Sequence, residues 1–291
     1  VIPSSKAIHN ARGTAPGWWV EKEGHILVAM PGPPGEMYHM WHTEALPRLQ
    51  QRATGTIIFS KTLKVFGLPE GTVGELVSPL LSSANPTLGV YAKADGIHLR
   101  FTVKAKNQKQ AEKMIDREEA RVRSILGESI WGTDNDTPAS VVGHILAAKG
   151  LSLAVMEYCT GGLLTATITD TPDNIAYFKG GLIACSSEAL IAYGVDAGLI
   201  YDCGIITSEV AQAMAEVGRL RLEADIGVSI TGVIDPDEVE DKPVGTIYIG
   251  INSSGDKKTL KSNYPGDRAR VKRLVTADAL FELRKILLAL D

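Results

Sequence analysis

The 291-residue sequence predicts a multidomain protein that joins α/β and α+β parts. Three observations carry that expectation. Over residues 136–291 helical and strand-like periods alternate, as they do where helices pack on a sheet. Over residues 56–131 the order reads βαββα, a small α+β sandwich of half-ferredoxin or KH-like type. Between them "GTDNDTP" (132–138) is a polar linker and the expected domain boundary.

Residues 1–52 hold one expected strand, "HILVAMPG", and one helix after "PGPP" that carries Met37, Met40, Trp41 and Leu46 at helical spacing. One strand and one helix cannot cover both faces of a sheet, so this segment predicts the tail of a domain. Val1 as first residue predicts a longer parent chain. In the middle part "TIIFSKTLKVFG" is strand-like, and Pro69 helps begin the helix "LPEGTVGELVSPLLSSA". "GVYAKADGIHLRFTVKA" predicts a hairpin turning at "ADG". Asn107 caps the amphipathic helix that follows, and Gly127 ends it. Thr137 then caps a helix with Pro138 at its first position, an apolar face of Val141, Val142, Ile145 and Leu146, and a stop at Gly150. The strand "LSLAVMEY", a glycine turn and helix, the strand "GGLIACSS", a short helix from Ser187 and a helix over "TSEVAQAMAEVGRLRLEA" come next. Two buried strands, "DIGVSITG" and "VGTIYIGI", precede a last helix from "GDRARVKRLV" with Val271, Leu274, Ala277 and Phe281 on one side.

The net charge of −4 argues against a nucleic-acid or anionic-membrane partner. No apolar run approaches the roughly 20 residues that span a bilayer, and no signal peptide is visible. Cys159, Cys185 and Cys203 are an odd set without CxxC spacing, which predicts a reducing, cytoplasmic setting and no metal site. His39 and His42 stand at i, i+3 without a third ligand and read as a solvated helix face.

The chemistry concentrates in "AVMEYCTGGLLTATITD" (154–170): a buried strand, two adjacent glycines and a small-residue helix. Such a turn aims backbone N–H groups where an anion is favoured. With "EYCTGG" (157–162), "GGLIACSSEAL" (180–190), "ITSEVAQAMA" (206–215), "TGVIDPD" (231–237), "KPVGTIYI" (242–249) and "GDRARV" (266–271), residues 136–291 resemble the C-terminal domain of the CinA family. The middle unit stands where CinA proteins carry a KH-like domain. Residues 1–52, with "NARGTAPG" and "MPGPPGEM", resemble the end of the family's molybdopterin-binding-like domain.

The resemblance implies a C-terminal α/β sandwich that, in active members, removes ammonia from nicotinamide mononucleotide without metal or cofactor. The family's nucleophile is the serine of a Glu-Ser-Cys-Thr-Gly-Gly motif, assisted by a tyrosine and a lysine. Carried over position by position, these become Tyr158, Cys185 and Leu190. A phenol of pKa about 10 replaces an activated serine poorly, and leucine takes no proton. The loop after Thr-Gly reads "VIDPDEVE", with carboxylates where the family has glycines. The scaffold and ligand-binding positions that remain are Glu157, Thr160, Gly161, Gly162, Thr231, Gly232, Lys242, Gly245 and Arg268. The resemblance therefore implies a retained site architecture stripped of its catalytic groups, with a pyridine nucleotide as expected ligand and a homo-oligomer as expected assembly. The alternative is an active amidohydrolase with a substitute nucleophile.

Several features also have plainer readings. Gly161–Gly162 serves close strand–helix packing as readily as anion binding. Cys159 at a helix start reads as a small packed residue ahead of a nucleophile. "GDKKTLK" and "RARVKR" read as solvated surface or oligomer contact ahead of nucleic-acid binding, and the middle unit has no Gly-x-x-Gly clamp at a helix–helix junction. Residues 1–52 alone are expected to show no cooperative thermal unfolding. A protease-resistant, cooperatively melting 1–52 fragment would contradict this.

Overall fold

A computed structural model describes residues 4–52, 55–93, 95–234 and 237–290. The chain divides into two compact units. The first runs to Ser60 and takes in Ala84–Pro86 and Thr102–Glu118. The second holds Lys61–Ser83, Thr87–Phe101 and everything from Glu119 onward.

The first unit opens with β1 (Ser5–Ile8), β2 (Gly17–Lys22) and β3 (His25–Ala29), an antiparallel meander where one strand was expected. The two missed strands lie in a segment dominated by turn residues. In "GWWVEK" the burial alternates, with Gly17 and Trp19 buried, which is the period of a half-buried strand. The helical stretch α1 (Pro34–Met40), a π-turn (Trp41–Ala45) and α2 (Leu46–Arg52) follows. Its Met40 packs with Ile8 and Trp19 into a small core, flanked by Ile26, Val28, Met30 and Leu49.

The middle elements are β4 (Ile57–Val65), α3 (Glu70–Leu81), β5 (Thr87–Lys93), β6 (Gly96–Ala105) and α4 (Gln108–Leu126), the expected βαββα order. In the expected "ADG" turn, Ala94 lies outside the described residues. β6 buries Ile97, Leu99, Phe101, Val103 and Ala105 at strict alternation. The Asn107 side chain accepts from the Gln110 N–H at 2.9 Å and caps α4, and Gly127 leaves the helix at φ +51°.

The expected linker is not a loose one. Residues 132 and 133 belong to β7 (Ile130–Thr133), which joins the sheet as its fourth strand in the order β5-β6-β4-β7. Asp134 extends that pairing, accepting from the Thr62 N–H and donating its own N–H to Thr62 O. Asp136 accepts from the Thr133 N–H at 2.7 Å. The polar composition that reads as linker is here a set of short side chains closing a turn.

The C-terminal part of the second unit runs α5 (Pro138–Lys149), β8 (Leu153–Glu157), α6 (Leu163–Thr169), β9 (Phe178–Ile183), α7 (Ser187–Tyr193), α8 (Ala197–Cys203), α9 (Ser208–Arg221), β10 (Ile226–Gly232), β11 (Thr246–Ser253), β12 (Lys257–Asn263) and α10 (Arg268–Ala289). The five strands form one mixed sheet in the order β12-β11-β10-β8-β9. β9, β8 and β10 are parallel, and β11 and β12 run antiparallel. α8 and β12 were not expected. α8 is seven residues bounded by the Asp196 cap and Gly204, and β12 takes up the lysines of "GDKKTLK" as an edge strand.

Every residue of β8 and β10 is buried, because helices cover both faces of the sheet. Leu153 and Val155 face a core shared with Val142 and Leu146 of α5, Leu164 of α6 and Val275 of α10. Met156 faces the opposite core with Leu190, Val195, Ile200, Val210 and Met214. α9 lies close on that second face. A methyl added at Gly227 would sit 2.0 Å from Ala215 O, so glycine at this position permits the contact. The apolar stripe of α10 is set by Val271, Val275, Ala279, Leu283 and Leu287, with Phe281 also buried. The expected Leu274 and Ala277 are only half-buried.

Thr137 and Ser140 form a reciprocal capping box at the start of α5, at 3.1 and 2.9 Å. Thr137→Ala is expected to cost about 1 kcal/mol, read as a lowered denaturant midpoint with unchanged m-value. An unchanged midpoint would show that this cap contributes nothing.

Candidate functional site

From β8 the chain passes to β9 on one side and then crosses to β10 on the other, with α6 on one face of the sheet and α7, α8 and α9 on the other. The carboxyl ends of β8 and β10 therefore flank a topological switch point, the place where open α/β sheets form a crevice. "EYCTGG" leaves β8 here, and Thr231–Gly232 ends β10 beside it, with the Tyr158 N–H donating to Ile230 O at 2.9 Å.

The turn is built around Glu157. Its side chain is completely buried. Oε2 accepts from Thr160 Oγ1 at 2.5 Å, from the Gly162 N–H at 3.0 Å and from the Leu164 N–H at 3.1 Å. Oε1 accepts from the Thr165 N–H and Thr165 Oγ1, both at 2.7 Å. Gly161 and Gly162 take φ of +61° and +95°, which favours glycine and lets the chain reverse tightly enough to aim these donors at one carboxyl group. The sequence reading leaves the N–H groups at the start of α6 open to a ligand anion. In the structure the protein's own carboxylate occupies that place. Glu157 and Thr160 thus hold the turn.

Of the positions the resemblance marks, Tyr158 and Leu190 meet one core and Cys185 adjoins Tyr158. Tyr158 is half-buried and packs against both cores. Cys185, just beyond β9, is exposed, and its thiol lies 3.7 Å from Tyr158 O. Leu190 is fully buried in α7 among Met156, Val210 and Met214. Cys159 is buried in the core shared with Leu164 and Ile230, the packed residue its plainer reading describes.

On the β10 side, Thr231 is buried and donates from Oγ1 to Ile205 O at 3.1 Å. Gly232 lies against Thr246 O and Ile247, and the Gly245 N–H donates to Val233 O. Asp235 and Pro236 of the acidic loop lie outside the described residues. Glu240, the last carboxylate of that loop, accepts from the Ile205 N–H at 2.7 Å and the Ile206 N–H at 2.9 Å. Lys242, half-buried, stands 3.8 Å from the Glu240 carboxylate. Arg268 is exposed in the first turn of α10.

One residue at the site escaped the sequence reading. Lys272 of α10 brings its Nζ to the glycine turn, 3.4 Å from where a methyl on Gly161 would lie. It falls four residues after Arg268 and so shares its helix face. That spacing is the signal that could have separated it from the rest of "RARVKR".

A sheet covered on both faces, with a carboxylate-held glycine turn at its switch point, defines an α/β sandwich protein with an appended KH-type α+β unit. The chain belongs to the CinA family. Residues 135–287 match the CinA C-terminal domain, and residues 60–132 match the damage-inducible protein CinA KH domain. A competence-damage inducible protein of Moorella thermoacetica is 41% identical over 288 residues, covering 98% of this chain and 70% of the relative. A CinA-like protein of Dictyoglomus turgidum is 38% identical, covering 100% and 71%. Among solved structures, competence damage-inducible protein A of Klebsiella pneumoniae superposes with a TM-score of 0.52 at 27% identity, over 53% of this chain and 97% of that one. A CinA superfamily protein of Escherichia coli gives 0.50 at 26% identity, over 51% and 88%. No helix among the described residues is long and apolar enough to cross a membrane.

Glu157→Gln keeps the shape but replaces one acceptor oxygen by a donor that faces N–H groups. Each buried donor left unpaired costs about 1–3 kcal/mol, so the variant is expected to lose roughly 2–4 kcal/mol of stability. Amide exchange at residues 162, 164 and 165 should accelerate in parallel. Wild-type stability in this variant would show that the turn does not depend on the carboxylate.

Proposed function

We propose that this chain is a CinA-family protein whose C-terminal domain binds a pyridine nucleotide without deamidating it, and that it works as a homo-oligomer. The observation that carries the reading is Leu190. The position from which the family draws its lysine is a leucine with no exposed surface, sealed among Met156, Val210 and Met214. No side chain there takes up a proton or lowers a neighbour's pKa. Tyr158, at the nucleophile's position, is wedged between two cores. Amide hydrolysis needs an activated nucleophile and donors for the oxyanion. The turn's donors at Gly162, Leu164 and Thr165 already serve Glu157.

Binding has separate support. Lys272 beside the turn, with Arg268 four residues before it on α10, gives this end of the crevice positive charge suited to a nucleotide phosphate, while Lys242, in the loop after β10, stands 3.8 Å from the Glu240 carboxylate. Because the α6 N-terminus is filled, these side chains carry the phosphate contact. A nucleic-acid role through the KH-type unit has less behind it: Gly71 and Gly74 fall inside α3 rather than at a junction of two helices.

A second reading rests on the exposed Cys185, 3.7 Å from Tyr158 O, as a substitute nucleophile. One experiment separates the two. Nicotinamide mononucleotide is expected to raise the thermal midpoint while ammonia release stays at the buffer blank. Ammonia release that is abolished by Cys185→Ala would establish the second reading instead.

Tyr158→Ser alone is expected to stay inactive, since the new hydroxyl lacks a base. Adding Cys185→Tyr and Leu190→Lys should give weak turnover with a high KM. Robust turnover from Tyr158→Ser alone would require a base other than the residue at 190, and would overturn these roles.

A further inference from the structure

A second cavity, of about 380 Å³, opens at the far end of α10. Its volume is in the range of small-molecule sites, and it lies roughly 18 Å along the helix from Lys272 at 1.5 Å per residue. One wall is aromatic. Phe66, just past β4, stacks on Phe281 with centroids 3.7 Å apart, and Trp131 of β7 meets Phe281 edge-on at 5.3 Å.

The opposite chemistry comes from Arg284, half-buried in the same cavity. Among the described residues its guanidinium reaches only backbone carbonyls, Ile130 O at 3.2 Å and Glu128 O at 3.5 Å. Its Nε is buried with no hydrogen-bond partner among the described residues, and so is Trp131 Nε1. The neighbouring Lys285 is paired with Glu282 at 2.5 Å, whereas Arg284 has no ion pair among the described residues. Burial pushes the Arg284 guanidinium below its ordinary pKa, and the nearby Glu128 offsets this only in part. A half-buried guanidinium with no carboxylate at ion-pair distance among the described residues, beside a stacked ring pair, is half of a recognition site, although Glu128 also lines the cavity.

We propose that this cavity binds a planar aromatic carboxylate. The ring packs on the wall formed by Phe66, Phe281 and Trp131, and the carboxylate accepts from Arg284. The occupant supplies a carboxylate at hydrogen-bond distance from Arg284, which Glu128 does not. This site is separate from the crevice at Tyr158 and does not depend on the reading of that crevice.

The test is calorimetric titration of the full chain with 2-naphthoate, against 2-naphthamide and cyclohexanecarboxylate. The variants are Arg284→Gln and Leu288→Trp. Leu288 lines the cavity and is 51% exposed, so tryptophan there narrows the opening without entering the core. The expected result is saturable one-site binding of 2-naphthoate, weakened about tenfold or more for either control ligand and in either variant. If Arg284→Gln misfolds, the Leu288→Trp result decides. No saturable binding up to about 5 mM, equal binding of the amide, or unchanged affinity in Leu288→Trp would overturn the proposal.

Discussion

The site end of the C-terminal domain depends on one buried carboxylate meeting five donors. Without Glu157, the N–H groups of Gly162, Leu164 and Thr165 would be unpaired in the interior, and the seven-residue α6 would lack a defined start. Short helices are marginal on their own. α6 persists because its first turn is tied to the end of β8 and its Leu164 and Ile168 enter the core. The same tie fixes where Tyr158 leaves the strand.

That constraint reshapes how the site is understood. A helix start after a glycine turn invites the idea of an anion held by backbone. Here the anion is internal, so the turn acts as a rigid shelf, and in the function proposed above the phosphate contact falls to side chains around it. Lys272 arrives from α10, Lys242 from the loop after β10, and Glu240 clamps the segment before α9 rather than confronting the ligand. Leu190 adds hydrophobic burial to the core of Met156 and Met214.

Much of this was legible in the sequence, and the reasons differ by element. Thr137, Asn107 and Gly150 announce helix ends because caps are local chemistry, and β6 announces itself by strict alternation. β1, β2 and α8 were missed because four to seven residues between turn formers give too little period to read. β12 was hidden by its lysines, which suit an exposed edge strand as well as a loop. "GTDNDTP" looked like a linker because its ordering comes from long-range partners such as Thr62. Tyr158, Cys185 and Leu190 are marked as positions by the family resemblance alone. The internal use of Glu157, the approach of Lys272 and the clamp made by Glu240 were not legible, since each joins residues by three-dimensional contact that sequence spacing does not encode.

The most direct test of this account is amide chemical-shift mapping of the full chain during titration with nicotinamide mononucleotide. The prediction is that shifts concentrate at Lys272, Arg268 and residues 231–242. The amides of Gly162, Leu164 and Thr165, bonded to Glu157, should stay nearly still. Large shifts at those three amides, or no saturable shifts at all, would contradict the claim that side chains around an internally filled turn hold the nucleotide.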